Sequence, residues 1–245
     1  MARGGAWPAR QPIPREDDAG TGVRLEDVTL VRGHQRIFEG LTLHLSESRI
    51  GLIGDNGAGK SSLFRLICGL DKPQQGRVIA SGVGLMFQNP DDQIIFPTVA
   101  EELVFSLTAR GEARQAAQER ALDFLAGRGL SAWAGRSVGE LSQGQRQQVC
   151  LMALQISEPQ TLLLDEPYAS LDLPSQARLA AQIDASGQQI ILSTHLLDHV
   201  HDFERVLWLD EGRVRADGPG RTVCGAYADD VRERARAEAG RGGYA

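Results

Sequence analysis

Lysine is almost missing from this chain: of 26 basic residues in 245, only Lys60 and Lys72 are lysine and the rest are arginine. The skew reads as compositional bias, and it makes a lysine inside a motif informative. Long apolar runs are missing as well. No stretch approaches the roughly 18 consecutive apolar residues of a membrane-spanning helix, and the N-terminus lacks the apolar core of a signal peptide, so a cytosolic chain is expected. Cysteine is scarce. Cys68, Cys150 and Cys224 are odd in number, far apart and without a C-x-x-C pair, which argues against a disulfide frame or a zinc site and for buried thiols. Excess positive charge is also absent. A formal charge of −6 gives no overall attraction to nucleic acid. No internal repeat is visible. Residues 1–22 hold Gly4-Gly5, prolines and Asp17-Asp18 without an apolar period, and read as a mobile leader without function.

What is present begins with Gly54-Asp55-Asn56-Gly57-Ala58-Gly59-Lys60-Ser61. The pattern G-x-x-x-x-G-K-[ST] after an apolar strand is a phosphate-binding loop. Its glycines let backbone N–H groups turn toward a β-phosphate, and the helix that follows adds the positive end of its dipole. Lys60 would neutralise the β/γ-phosphates and the Ser61 hydroxyl would ligate Mg²⁺, with Ser62 beside it. The context fits. Arg49-Ile50-Gly51-Leu52-Ile53 reads as the buried strand, and Ser61 to Cys68 as the helix, stopped by Gly69.

Around this unit, alternating stretches at Val23 to Val31 and Leu41 to Leu45 read as antiparallel strands joined through Gly33. Short apolar runs at Val83 to Phe87, Thr161 to Leu164 and Gln189 to Leu192 have the character of buried parallel strands. Between them, Val99 to Arg128 and Leu141 to Ile156 show helical spacing, a helical insertion in an α/β core. Arg205 to Leu209 and Arg213 to Ala216 form a hairpin over Asp210-Glu211-Gly212, and a polar, Arg/Glu-rich helix is expected from Tyr227.

A phosphate-binding loop alone leaves GTPases, kinases and motors open. Five further elements discriminate. Leu162-Leu163-Leu164-Asp165-Glu166 is a buried strand ending in two carboxylates; Asp165 can hold the magnesium shell and Glu166 can polarise an attacking water. Gln88 ends a strand where its amide can reach Mg²⁺ or that water. Leu141-Ser142-Gln143-Gly144-Gln145 opens a helix with small residues suited to a phosphate from another molecule. Asp172 closes Tyr168-Ala169-Ser170-Leu171-Asp172, and His195 ends the Ile190-Ile191-Leu192 strand, within reach of a γ-phosphate. In this order and spacing, Val23 to Pro219 resembles the nucleotide-binding subunits of ATP-binding cassette proteins. An N-K-x-D guanine motif is absent.

The resemblance implies an α/β fold of the P-loop NTPase kind: a mostly parallel core sheet, an antiparallel β subdomain and a helical subdomain. The expected domains are residues 23–220 for the ATPase, with the helical subdomain at about 99–156, and 221–245 for a C-terminal tail. It implies ATP and Mg²⁺ as cofactors, catalytic Glu166, His195 and Gln88, and Ser61, Gln88 and Asp165 at the metal. It also implies a head-to-tail pair with a second copy or a paralogous ATPase, so that Ser142, Gly144 and Asp172 serve the partner's ATP. Two departures stand out. Gln143 replaces the family's usual signature glycine, and Val31-Arg32 replaces the aromatic that commonly stacks on adenine.

Phe87-Gln88-Asn89-Pro90-Asp91-Asp92-Gln93, then Phe96-Pro97-Thr98-Val99 and Glu101-Glu102, resembles the energy-coupling-factor importers of vitamins and transition metals. Within that group, Arg49 to Gly54, the signature and Asp165 to Pro174 resemble the biotin-transporter ATPases more than the cobalt or nickel ones. The partners implied are a transmembrane coupling protein and a membrane-embedded substrate-binding protein, at the cytoplasmic face of the membrane. Ile94, Ile95 and Phe96, flanked by Asp91, Asp92, Glu101 and Glu102, are expected to be exposed for the coupling partner. A cobalt, nickel or other vitamin importer is the alternative. A soluble cassette ATPase acting on nucleic acid would call for paired cassettes, a coiled-coil insertion or a basic arm, none of which is visible.

Overall fold

The computed structural model describes residues 22–241; the leader read at residues 1–22 lies, apart from Gly22, outside them. Among the described residues, nine strands fall into two sheets. β1 (Val23–Arg32), β2 (Gln35–Leu45) and β4 (Gln75–Ile79) form an antiparallel sheet in the order β2-β1-β4. The other sheet runs β5-β6-β7-β3-β8-β9, with β3 (Arg49–Ile53), β5 (Val83–Met86), β6 (Thr161–Asp165), β7 (Gln189–Ser193) and β8 (Arg205–Asp210) parallel, and β9 (Arg213–Gly218) antiparallel to β8.

Side-chain alternation explains the layers. In β6, Leu163 faces one core while Leu162 and Leu164 face another; Ile191 and its neighbours Ile190 and Leu192 divide the same way in β7. Both faces are therefore buried, as parallel strands require. On one face, α1 (Lys60–Ile67) packs Leu63, Phe64, Leu66 and Ile67 between the two sheets, against Leu25, Leu30, Phe38 and Leu43. On the other lie α4 (Gln143–Gln155), α5 (Leu173–Asp184) and the start of α6 (Gly220–Arg241), with Leu151, Leu179, Ile183, Val223 and Cys224 buried. A separate apolar cluster joins α2 (Val99–Thr108), α3 (Arg114–Ala126) and α4 through Leu103, Leu107, Ala121, Leu125, Val149 and Met152.

Several elements differ from the sequence reading. The helical pattern from Val99 to Arg128 breaks into α2 and α3 around Gly111, whose φ of 92° suits a residue without Cβ. β4 and α5 were not anticipated. α6 starts at Gly220, ahead of the polar stretch at Tyr227, and Val223 and Cys224 root it in the core. The segment after Gln88 is also less open than expected: Ile94 packs into the cores, Phe96 lies tilted against Phe105 with ring centroids 5.0 Å apart, and of these three only Ile95 is strongly exposed. Glu102 is buried, accepting from the N–H groups of Ile95 and Phe96, and Asp91 faces Arg146 at 3.5 Å.

Candidate nucleotide site

In the strand order of the large sheet, β3 sits between β7 and β8, so the chain leaves it where the winding changes direction. Ligands of open α/β sheets bind beyond the carboxyl ends of strands at such a point. Here those ends deliver Gly54 from β3, Asp165 and Glu166 from β6, and Thr194-His195 from β7. A cavity of about 790 Å³ opens over them, lined by Gly54, Asp55, Asn56, Gly57, Gly59, Lys60, Ser61, Ser62, Gln88, Asp165, Glu166, His195, Gln35, Ile37 and Tyr227. Ala58 is buried beneath the loop.

The loop's shape depends on its glycines. Gly54 has φ 141°, and a Cβ there would lie 2.1 Å from the Leu209 carbonyl oxygen, so a side chain is excluded sterically as well as conformationally. Gly59 takes the N-cap of α1 at φ 109° with no side-chain cap, and the first turn carries no acid. The N–H groups of that turn are thus left for an anion. Lys60 is buried and donates to the carbonyls of Gly54 at 2.7 Å and Asp55 at 3.2 Å. The ammonium is thus held on the loop it would serve.

Opposite, Ser193 Oγ donates to Asp165 Oδ1 at 2.6 Å and accepts from the Glu166 N–H at 3.2 Å, fixing the Asp165 carboxylate and the Glu166 backbone. Glu166 sits at φ 48°, an uncommon conformation for a residue with Cβ and of the kind that clusters at functional sites. Its Oε2 lies 2.8 Å from His195 Nδ1 and accepts the His195 N–H at 3.3 Å. Gln88 is exposed, and its carbonyl accepts from Gln147 Nε2 at 3.0 Å, tying the end of β5 to α4.

Ser142, Gly144 and Asp172 are absent from this cavity. Within the chain they do other work. Ser142 and Gln145 form a reciprocal capping box at the start of α4, and Asp172 caps α5 by accepting from the Ser175 N–H at 2.9 Å. A Cβ on Gly144 would lie 2.6 Å from Ser175 Oγ, so this glycine lets α4 approach α5. Arg32 pairs with Asp71, which also holds Arg65, and does not line the cavity. Gln35, Ile37 and Tyr227 line it and were not singled out from sequence. Only their positions in the fold reveal them.

The fold and this cavity define a P-loop nucleotide-binding domain. Residues 38–169 match the profile of the ABC transporter family. The biotin transport ATP-binding protein BioM of Rhodobacter capsulatus is 46% identical, over 86% of this chain and 96% of its own. The energy-coupling factor transporter ATP-binding protein EcfA of Methanoculleus marisnigri is 34% identical, over 77% of this chain and 76% of its own. Among solved structures, cbiO1 of Clostridium perfringens, part of the ABC transporter complex cbiONQ, superposes with a TM-score of 0.73 at 24% identity, over 86% of this chain and 93% of that one. The chain belongs to the ABC transporter family of nucleotide-binding ATPases. No helix among the described residues is long and apolar enough to cross a membrane.

Proposed function

We propose that this chain is the ATP-hydrolysing subunit of an energy-coupling-factor importer, and that the vitamin imported is biotin. The observation that carries the ATPase half is the convergence of the phosphate-binding loop, Gln88, Asp165, Glu166 and His195 on one cavity. The transport half is supported by the likeness to a biotin transport ATP-binding protein and to an energy-coupling factor ATP-binding protein.

In this reading, the triphosphate draws Lys60 from the carbonyls of Gly54 and Asp55 onto the β/γ-phosphates. Ser61, Gln88 and Asp165 present three hard oxygen donors to the same cavity. That set fits Mg²⁺, which takes one or two carboxylates and fills its octahedron with water and phosphate oxygen. Once bound, the ion would neutralise charge developing on the phosphoryl oxygens. Glu166 polarises the attacking water as general base. His195, now against Glu166, frees that carboxylate by turning to the γ-phosphate.

Ser142, Gly144 and Asp172 complete the site of a second chain, head to tail, because they lie outside the cavity of their own. Exposed Ile95 and the pocket lined by Phe96, Val104 and Phe105 receive the transmembrane coupling protein. The subunit then sits peripherally at the cytoplasmic face of the membrane, and a separate membrane protein selects the vitamin. Phosphate release from MgATP by the purified chain tests the ATPase half. Lys60→Ala is expected to abolish tight ATP binding and turnover together, and hydrolysis that survives this change would refute the assignment.

A further inference from the structure

The cavity has an electrostatic problem. Among the described residues its lining carries three carboxylates, Asp55, Asp165 and Glu166, against one permanent cation, Lys60, although the ligand is a polyanion. Asp165 and Glu166 have chemistry to perform. Asp55, second residue of the phosphate-binding loop, has none, and an unpaired carboxylate there repels a triphosphate.

Two side chains from the far end of the chain meet that carboxylate. Tyr227 Oη donates to Oδ1 at 2.7 Å, while Arg234 donates through Nη1 to Oδ2 at 2.5 Å and through Nη2 to Oδ1 at 3.3 Å, a two-pronged fork. Both residues lie on α6, two turns apart and so on one face. Arg234 is itself braced: its Nε lies 2.8 Å from Asp230 Oδ2, a charge contact rather than an aligned hydrogen bond. Arg215 donates to Asp230 at 2.6 Å, reaches Asp210 at 3.3 Å, and lies 4.2 Å over the Trp208 ring, which also makes a T-shaped contact with Tyr227. The chain of alternating charge runs from the phosphate-binding loop across α6 to the β8–β9 hairpin. Bonding from Arg234 and then from Tyr227 holds the Asp55 carboxyl below the usual carboxylate range. Burial, reinforced by Asp55, pushes the Tyr227 hydroxyl up to about 12, so it remains a donor.

We propose that Tyr227 and Arg234 are positioning residues of the ATP site, which neutralise Asp55 and keep the loop receptive to a triphosphate. The inference rests on the reading of this cavity as an ATP site. It makes α6 a part of the nucleotide site, although α6 is the last element of the described chain. The pairing also fixes the direction of the effect. Removing Arg234 leaves Asp55 charged and facing the phosphates, whereas removing the charge of Asp55 as well takes away the repulsion.

The test is a double-mutant cycle on the full chain, with ATP affinity measured by calorimetry for the wild type, Arg234→Ala, Asp55→Asn and the two together. Arg234→Ala should weaken ATP binding by about threefold to fivefold, the upper part of the range of an ion pair open to solvent. Asp55→Asn in that background should return affinity to within about twofold of the wild type, a non-additivity that marks direct coupling. In turnover assays the Arg234→Ala defect should fall on KM rather than kcat. Unchanged affinity in Arg234→Ala, or a double variant as weak as that single one, would overturn the proposal. A wild type that binds no ATP would overturn both this inference and the ATPase reading.

Discussion

Glu166→Gln separates catalysis from binding more cleanly than any other change at this site. Gln preserves length and shape, so the backbone at φ 48°, the acceptance of the Glu166 N–H by Ser193 Oγ, and the acceptance of the His195 N–H can all persist. Lost are the negative charge beside His195 Nδ1 at 2.8 Å and the basicity that would draw a proton from the attacking water. A positioned general base contributes about 10²- to 10⁴-fold. At 1.36 kcal/mol per decade this is about 2.7 to 5.4 kcal/mol of activation free energy. The expectation is a fall in kcat of that size with ATP affinity kept within about twofold, because Glu166 would contact water rather than phosphate. Phosphate release at saturating MgATP measures the first quantity and equilibrium binding of labelled ATP the second. Turnover within tenfold of the wild type would remove Glu166 from the role of base, and loss of binding in step with turnover would make it a binding residue instead.

Two further outcomes follow from the same geometry. If Ser142 serves the partner's ATP, a Ser142→Arg chain mixed with a Lys60→Ala chain forms one competent and one dead site, so partial ATPase activity returns on mixing; its absence, in a mixture shown by light scattering to dimerise, speaks against action in trans. His199 stacks on Tyr168 at 3.7 Å, and burial holds its pKa below the usual 6.5. The unfolded chain therefore binds a proton before the folded one does, and stability that is complete above pH 6.5 declines as pH falls toward the depressed folded value. Thermal melting at pH 7.5 and 5.5 should show a larger drop for the wild type than for His199→Gln, and equal drops would contradict the argument.

The parts legible in the sequence share a physical origin. β3, β6 and β7 are buried on both faces, so their apolar runs stand out without homologues, and the glycines of the phosphate-binding loop, Asp165-Glu166 and His195 lie directly at the strand ends that collect them. Less legible elements lack a local signal. β4 reads Gln-Gly-Arg-Val-Ile, with three exposed and two half-buried residues, and exists because β1 offers it an edge. α5 buries only Leu179 and Ile183, too few to mark a helical period. Ile94 and Phe96 read as exposed next to acids, yet Glu102 turns inward to hold their loop. The approach of Tyr227 and Arg234 to Asp55 depends on where α6 leaves the core at Val223 and Cys224, which no spacing within either segment encodes.

If ATP turnover in this chain drives biotin across a membrane, as proposed, uptake of radiolabelled biotin by cells carrying the chain with its membrane partners will depend on the nucleotide site. The expected result is energy-dependent biotin accumulation that Lys60→Ala abolishes and Glu166→Gln reduces by at least about tenfold. Biotin uptake indifferent to Lys60→Ala would contradict it, as would ATP-dependent uptake of cobalt, nickel or another vitamin in place of biotin.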